Sequence, residues 1–391
     1  MTGSKTRRRT TNRTTTQVPR GASLDFGLVV AVLVLLTLGL TMVYSSSSTY
    51  AARVFQDPEH FIRLQMVRCA VGLIALGLAV YLPRRWLVDR PGWILLVSVL
   101  LCVLVLIPGL GIFRGGARRW LALGPMIFQP SEIAKLGIIV VLAAILARRD
   151  AKPLKEQPSL LFPVLLVQIP VALILAEPDL GTALVIEMIM VIMVFVAGVR
   201  LRTLMLLGLA ALPVFYHLVV GTPFRLRRLL GYIDPWAYRQ TVGYQVTEAL
   251  ISMGSGGISG LGLGEGKHSL FFLPEAHTDF IFAILGQELG LIGVLLLIGT
   301  FALFIWRAGR LALLAPSSFD RYLALGITAL IGVPAVFNMC VVTGLLPTKG
   351  LPLPLVSYGG SNLIISLIGI GLLIRIGRDT AATALSARRA S

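Results

Sequence analysis

About ten apolar segments, each near the length that a lipid bilayer requires, constrain the fold of this chain more than any other feature. A transmembrane helix needs about 20 mostly apolar residues to cross a hydrocarbon core about 30 Å thick. With 56% hydrophobic and 14% charged residues, the chain does not have the composition of a soluble multidomain protein. We therefore predict an all-α integral membrane protein with about ten transmembrane helices, near residues 26–45, 64–82, 92–109, 132–147, 159–176, 181–198, 203–220, 279–306, 321–343 and 361–376.

Positive charge between these segments predicts their orientation. Basic residues are enriched in the short cytoplasmic connections of membrane proteins. On this basis one side is cytoplasmic, namely the side that carries Arg84, Arg85, Arg148, Arg149, Lys152, Arg200, Arg202, Arg307, Arg310, Arg375 and Arg378. Both termini are then cytoplasmic, and a large extracytoplasmic loop, about 221–278, joins the seventh and eighth spans.

The ends of the chain differ in composition from its middle. Residues 1–23 are rich in Thr and Arg and contain no acid, so they cannot bury enough apolar surface to fold. We predict a disordered basic cytoplasmic tail at 1–23, a polytopic membrane domain at 24–378 and a cytoplasmic C-terminal tail at 379–391.

The net charge of +17 would suggest nucleic-acid binding in a soluble protein. Here the charge lies between apolar segments, so it indicates topology and we expect no nucleic-acid partner. The three cysteines, Cys69, Cys102 and Cys340, lie in apolar segments without paired spacing, which predicts neither disulfides nor a zinc site. The glycine-rich stretch 254–266 lacks the P-loop pattern, so nucleotide binding is not expected either.

Two basic clusters lie on the outer side, against the positive-inside trend. They follow the third and seventh spans and comprise Arg114, Arg118, Arg119, Arg225, Arg227, Arg228, Arg239 and Lys267. One interpretation is that long outer loops simply tolerate basic residues. The other is that these residues bind an anionic ligand on the outer face.

Asp279 is the leading candidate for catalysis, because it stands at the outer entrance of an otherwise apolar helix where an ionisable group is costly. Glu275 and His277 precede it. The alternative is that Thr278 or Asp279 caps the free backbone N–H groups of the helix.

Other acids lie in or beside apolar segments. Glu132 and Lys135 share a helix face at three-residue spacing, and we favour a structural ion pair that could also support Asp279. Glu177 and Asp179 fit a tight outer turn, whereas Glu187 and Glu288 lie inside predicted spans.

The last outer loop, 344–361, has too many prolines for a helix and is too apolar for open solution. Such backbone must be shielded by protein or line a cavity. Lys349 places another positive charge in this loop, and Ser357 and Tyr358 lie near its end.

These motifs together resemble the SEDS family (shape, elongation, division and sporulation), over nearly the whole chain after the tail. The matching segments are 116–120 (Gly-Ala-Arg-Arg-Trp), 129–135 (Gln-Pro-Ser-Glu-Ile-Ala-Lys), 177–182 (Glu-Pro-Asp-Leu-Gly-Thr), 273–280 and 344–361. The run 347–350 (Pro-Thr-Lys-Gly) looks more like the division branch than the elongation branch. Two departures are Gly115, where the family often has Asn, and a slightly short glycine-rich stretch before Leu273.

The resemblance implies a peptidoglycan glycosyltransferase that joins lipid II units on the outer face of the cytoplasmic membrane. Asp279 would then be the general base that activates the acceptor hydroxyl. Substrate-binding residues would be Arg118, Arg119, Trp120, Lys349, Ser357 and Tyr358, with Glu132, Lys135, His277 and Glu275 in support. Trp120 and Tyr358 fit membrane anchors equally well. No metal motif is present in the sequence, which leaves open whether the enzyme uses a divalent cation such as Mg²⁺ or Mn²⁺.

The implied partners are lipid II, a class B penicillin-binding transpeptidase, other division proteins and membrane lipids, at the division septum of the inner membrane. One alternative is a lipid II transporter, or flippase, which would need a path open alternately to both sides. A second is a non-catalytic division scaffold, which would leave Asp279 and the outer basic loops unexplained.

Overall fold

The computed structural model describes residues 25–390, except 115, 125, 154–155, 267–272 and 274–275. The predicted tail at 1–23 therefore lies outside the described residues. Helices make up most of the described chain. They are α1 Phe26–Val54, α2 His60–Tyr81, α3 Arg84–Asp89, α4 Pro91–Leu106, α5 Pro130–Asp150, α6 Leu161–Ala176, α7 Leu180–Val196, α8 Leu201–Val220, α9 Pro223–Ile233, α10 Tyr244–Ser255, α11 Ile281–Leu314, α12 Ser318–Val342 and α13 Gly360–Ala390.

In the described part of the chain, 7 helices are long and apolar enough to cross a membrane: α1, α2, α5, α8, α11, α12 and α13. Three shorter apolar helices, α4, α6 and α7, lie where three further spans are predicted. The chain is thus a multi-pass, mainly helical membrane protein, and the count of ten spans stays a prediction. Helix α13 continues to Ala390, through the segment predicted as a C-terminal tail.

A small antiparallel sheet interrupts the helices between α4 and α5, where the sequence predicted only an outer loop. Its strands are β1 Gly111–Arg114, β2 Ala117–Leu123 and β3 Met126–Phe128, in the order β1-β2-β3. Gly116 and Gly124 occupy the two connections with φ of 80° and 60°, a conformation that glycine adopts without steric cost. Tight glycine turns thus fold the basic segment back on itself and fix the direction of its side chains.

Arginines predicted to be cytoplasmic join helix ends at one end of the bundle. The buried carboxylate of Asp320 lies 3.1 Å from Arg84 Nε and 3.5 Å from an Arg375 guanidinium nitrogen. Arg375 also donates to the carbonyl of Leu82, and Arg149 donates to that of Ala197. These arginines satisfy helix-end carbonyls that have no partner within their own helices. Their charge therefore has a structural use besides its effect on topology.

Helix α11 is broken at Gly290, whose φ of 64° and ψ of −162° are not helical. The glycine-rich segment after α10 fits into this break, where Leu261 and Gly262 donate to the carbonyls of Gln287 and Glu288. Both oxygens of the Glu288 carboxylate accept from the Ser45 hydroxyl of α1, at 2.7 and 2.6 Å. Glu288, which the sequence marked as an unusual intramembrane acid, therefore joins α1 to α11.

Candidate functional site

Asp279 lies directly before α11, in the turn that leads into the helix. The N-cap position falls on Phe280, which makes no side-chain capping bond, rather than on Thr278 or Asp279. The Asp279 residue is half-buried, at the end of the bundle predicted to be outer. Its carboxylate therefore stands at the helix entrance without occupying the N-cap position.

Asn338 of α12 holds the backbone on both sides of the site. Its buried side-chain amide donates to the carbonyl of Asp279 and to the carbonyl of Leu351, each at 2.7 Å. One side chain thus ties the turn that carries Asp279 to the proline-rich loop 344–359. Because both acceptors are backbone groups away from bulk water, leaving them without a donor would be costly.

The proline-rich loop makes two more bonds to the same turn. Ser357 Oγ donates to the carbonyl of Thr278 at 2.6 Å and accepts from Leu353 N at 2.8 Å. The backbone N–H of Tyr358 donates to the carbonyl of His277 at 2.9 Å. Ser357, expected from the family resemblance to bind substrate, is buried, and its hydroxyl forms hydrogen bonds with backbone groups.

Gly350 packs against the carboxylate itself. A Cβ added at Gly350 would lie 2.5 Å from Asp279 Oδ2, closer than real Cβ contacts allow. The glycine is therefore needed for the carboxylate to keep this position, and the loop has no room there for a side chain.

Three basic residues, Arg119, Arg228 and Lys349, interact with one another and with the acids Asp279 and Asp179. Burial lowers the pKa of Arg228, while the nearby Asp279 carboxylate raises it and Arg119 lowers it. Burial lowers the pKa of Lys349 to about 8, with Asp179 acting in the opposite direction and Arg119, Arg228 and Arg225 adding to the decrease. These mutual effects put Arg119, Arg228 and Lys349 in one electrostatic cluster with Asp279 and Asp179.

The sheet positions Arg119. Its Nε donates to the carbonyl of Glu177 at 3.1 Å, and a terminal nitrogen donates to the carbonyl of Pro178 at 2.7 Å. Gln129, just after β3, donates its side-chain amide to Asp179 and its backbone N–H to Ser361 Oγ. Strand β2 and the end of β3 are thus tied to the start of α7 and to the start of α13.

Glu177 and Asp179 form the tight turn that the sequence suggests, and their environments differ. Asp179 is the N-cap of α7 and accepts from the backbone and hydroxyl of Thr182. Glu177 is fully buried, and burial raises its pKa to about 8, with Asp179 adding to the increase and Arg119 opposing it. Near pH 7 Glu177 is therefore mainly neutral, whereas Asp179 has donors suited to a carboxylate.

An aromatic cluster packs behind the turn. The His277 ring lies 4.8 Å from Phe61 and 5.6 Å from Tyr358, measured between ring centroids. The Arg68 guanidinium lies 4.6 Å from the centroid of the Tyr358 ring. His277 and Tyr358, both expected to act at the site, thus contact α2 and each other next to Asp279.

The remaining predicted residues lie in separate places. Arg118 is exposed on β2 opposite Phe113, and Trp120 is half-buried opposite Ile112. Glu132 and Lys135 form a buried ion pair of 2.8 Å within α5, as the structural interpretation predicted. Glu275 and Lys267 lie outside the described residues.

The described ranges contain no group of three or more His, Cys, Asp or Glu side chains that could hold a metal ion. The described acids near Asp279 therefore do not form a ready-made Mg²⁺ or Mn²⁺ site.

Three important residues could not be singled out from the sequence. Arg228 was one of several outer arginines, Gly350 was one residue of a loop motif, and Asn338 was not predicted to act at the site. A polar amide in the apolar segment 321–343 was the available signal, because such a group must find hydrogen-bond partners inside the membrane.

The fold and the site define a class: a multi-pass helical membrane protein with a carboxylate among cations at one end of its bundle. A family model described as "Cell cycle protein", which groups FtsW, RodA and SpoVE, matches residues 26–382. The chain belongs to this family.

One relative is named "Probable peptidoglycan glycosyltransferase FtsW", from Geobacter sp. (strain M18). It is 41% identical over 357 residues, which cover 90% of this chain and 96% of the relative. A solved structure described as "Structural coordination of polymerization and crosslinking by a peptidoglycan synthase complex" contains a chain with 34% identity and a TM-score of 0.76. The match covers 92% of this chain and 99% of that one. The crystal structure of Thermus thermophilus RodA also has 34% identity, a TM-score of 0.67 and the same coverage.

Proposed function

We propose that this protein is a peptidoglycan glycosyltransferase that polymerises lipid II on the outer face of the cytoplasmic membrane during septal wall synthesis. The names of its FtsW relatives support the reaction class and the division role. The observation that carries the proposal is the position of Asp279, which is clamped through its backbone and lies beside Arg228. A base next to fixed cations suits a reaction that removes a proton and releases a diphosphate.

In this mechanism the Asp279 carboxylate takes the proton of the 4-hydroxyl of the acceptor GlcNAc. The acceptor oxygen forms a bond to the anomeric carbon of the donor MurNAc, and the bond from that carbon to the lipid diphosphate breaks. The configuration inverts from α to β in a single displacement, so one base is sufficient. Negative charge grows on the leaving diphosphate during this step.

Arg119, Arg228 and Lys349 supply the complementary positive charge. Arginine donates in a planar fork that suits phosphate oxygens, and charged donors fixed before the reaction stabilise charge that develops during it. Arg119 is already oriented by the carbonyls of Glu177 and Pro178. Arg119 and Arg228, one from each outer basic cluster, thus have a common purpose, which is binding of the anionic part of a lipid substrate.

The rigid mounting of Asp279 supports its role as base. Asn338, Ser357 and Tyr358 all bond the turn 277–279 through its backbone carbonyls, so the position of the turn is fixed without using the Asp279 carboxylate. A general base must lie within hydrogen-bond reach of the proton that it removes, and small displacements of a catalytic group can cost 100-fold in rate.

We further propose that a class B penicillin-binding transpeptidase in the septal membrane is the partner that crosslinks the strands. The support is the similarity to a chain in a structure described as a peptidoglycan synthase complex that coordinates polymerization and crosslinking.

The test is polymerisation of labelled lipid II by purified full-length protein in liposomes, with the transpeptidase and with or without divalent cations. Wild type should make glycan, and Asp279→Asn should make at least about 100-fold less. Asp57→Asn is the matched control, because Asp57 contacts exposed Arg63 on the same outer side. Glycan from Asp279→Asn at the wild-type rate would eliminate Asp279 as the base. No glycan from wild type, together with lipid II flipping by the protein alone, would favour the transporter.

A further inference from the structure

Gln168 and Glu187 lie at the midpoints of two neighbouring helices. Gln168 is the eighth of the 16 residues of α6, and Glu187 is the eighth of the 17 residues of α7. The short turn 177–179 joins these helices, which pack against each other in opposite directions. The two polar side chains therefore lie at the same depth, near the centre of the bilayer.

This pair faces outward from the bundle. Both residues are half-buried, and the side chains around them are exposed: Leu165 56% and Ile169 52% on α6, Met188 42% and Val191 41% on α7. In a membrane these exposed side chains meet lipid. Glu187 therefore stands at the edge of a lipid-facing apolar surface, where an acid is rare and costly.

Within the described part of the chain, Glu187 is satisfied only in part. Its side-chain hydrogen-bond partner there is Gln168, whose amide also donates to the carbonyl of Val164 in its own helix at 3.4 Å. A carboxyl group has several bonding positions, so one shared amide leaves some of them unused. The other two unusual intramembrane acids contrast with this: Glu132 is buried against Lys135, and Glu288 is buried against Ser45.

We propose that the α6–α7 face binds a second copy of this chain, with Gln168 and Glu187 of each copy bonding to Glu187 and Gln168 of the other. In a two-fold contact, residue i meets residue j and j meets i, so both must lie at the same depth when the axis runs along the membrane normal. Gln168 and Glu187 meet that condition because each is the midpoint of its helix. A side-chain amide and a carboxyl group also offer complementary donors and acceptors.

The apolar residues around the pair complete the surface. Leu165, Ile169, Met188 and Val191 would pack against their counterparts and exclude lipid from the polar centre. Interhelical hydrogen bonds between Gln, Asn, Ser or Thr side chains are known to hold membrane helices together. The proposed contact does not involve Asp279 and does not depend on the proposed glycosyltransferase reaction.

The experiment measures association of fluorescently labelled full-length protein in liposomes, by energy transfer over a range of protein-to-lipid ratios. Wild type should dimerise, and Glu187→Gln should do so too because the amide keeps a donor and an acceptor. Glu187→Leu and Gln168→Leu should each weaken dimerisation by about 3- to 20-fold, the range expected for an interhelical hydrogen bond. These apolar variants suit a lipid-facing position, so folding should be retained.

Thr300→Val is the control, since the Thr300 hydroxyl donates within its own helix, to the carbonyl of Leu296. It should dimerise like wild type. A monomeric wild type, or equal association of wild type and Glu187→Leu, would overturn the proposal. A third outcome would also overturn the proposal: wild type is monomeric but co-purifies with a single-span membrane protein, and Glu187→Leu does not. The α6–α7 face would then bind a helix of another protein and not a second copy of this chain.

Discussion

Gly350 and Asp279 are packed so closely that a Cβ on Gly350 would lie 2.5 Å from the Asp279 Oδ2 atom. The two residues are distant in sequence, and the contact exists because Asn338 ties both of their segments to α12. The position of the proposed base is therefore set by the proline-rich loop as much as by its own helix.

Gly350→Ala should lower glycan synthesis at least about tenfold, because the new methyl group forces the Asp279 carboxylate away from its position. The measurement is the rate of lipid II polymerisation at saturating substrate. Gly359→Ala in the same loop is a matched control, since a Cβ there meets nothing within 4 Å. Equal rates for the two variants would show that the carboxylate tolerates the displacement.

Asn338→Leu should destabilise the protein by about 2–4 kcal/mol, because two backbone carbonyls lose their donor inside the bundle. The measurement is thermal unfolding in detergent, with residual activity measured well below the transition. Thr328→Val serves as the control on the same helix, since the Thr328 hydroxyl donates only to the nearby carbonyl of Ala324 among the bonds described. A loss no larger than that of the control would mean that the clamp adds little to stability.

Lys349 should make substrate binding weaker at alkaline pH. Its pKa is lowered to about 8 by burial, so the ammonium group is charged at pH 7 and loses its proton as the pH rises through 8. If the charge binds the diphosphate, the KM for lipid II should rise between pH 7 and 9. Lys349→Arg keeps a positive charge over this range and should remove the rise. The same rise in both proteins would assign it to another group.

Glu177 should make stability depend on pH. Burial raises its pKa from the usual 4.5 to about 8, so between these values the folded state holds a proton that the unfolded state releases. The contribution of this proton is fully present below about 4.5 and is lost as the pH rises toward 8. Glu177→Gln cannot lose a proton, so the variant should gain melting temperature relative to wild type across that window. A constant difference from pH 5 to 9 would contradict this assignment.

The sequence was most informative where physical rules act locally. Apolar segments predicted the helices, and the structure places apolar helices along each of the segments identified. The buried Glu132–Lys135 pair was also predictable, because three-residue spacing on a helix brings side chains together. The family resemblance, which rests on short ordered motifs, is confirmed by the match over residues 26–382.

The sequence was least informative about the sheet and the roles of single loop residues. The segment 111–128 was expected to be only an outer loop. In the structure its strands, joined by glycine turns, form a sheet, and Arg119 on this sheet bonds to the carbonyl of Glu177. Ser357 was expected to bind substrate, and the structure places its hydroxyl on the backbone of Thr278. Its substrate role stays a prediction, because a motif fixes residue types and not the direction of each side chain.

By itself the sequence determined that this chain crosses a membrane many times and that Asp279 stands at the entrance of a helix. It also predicted the orientation of the two termini. Hydropathy and charge act on each segment almost independently of the others, so these features can be inferred along the chain. Only the tertiary structure decided that Asn338 clamps Asp279, that Gly350 borders its carboxylate and that Arg228 lies near it. The Asn338 bond spans 59 residues, and such contacts depend on how helices pack rather than on any local pattern.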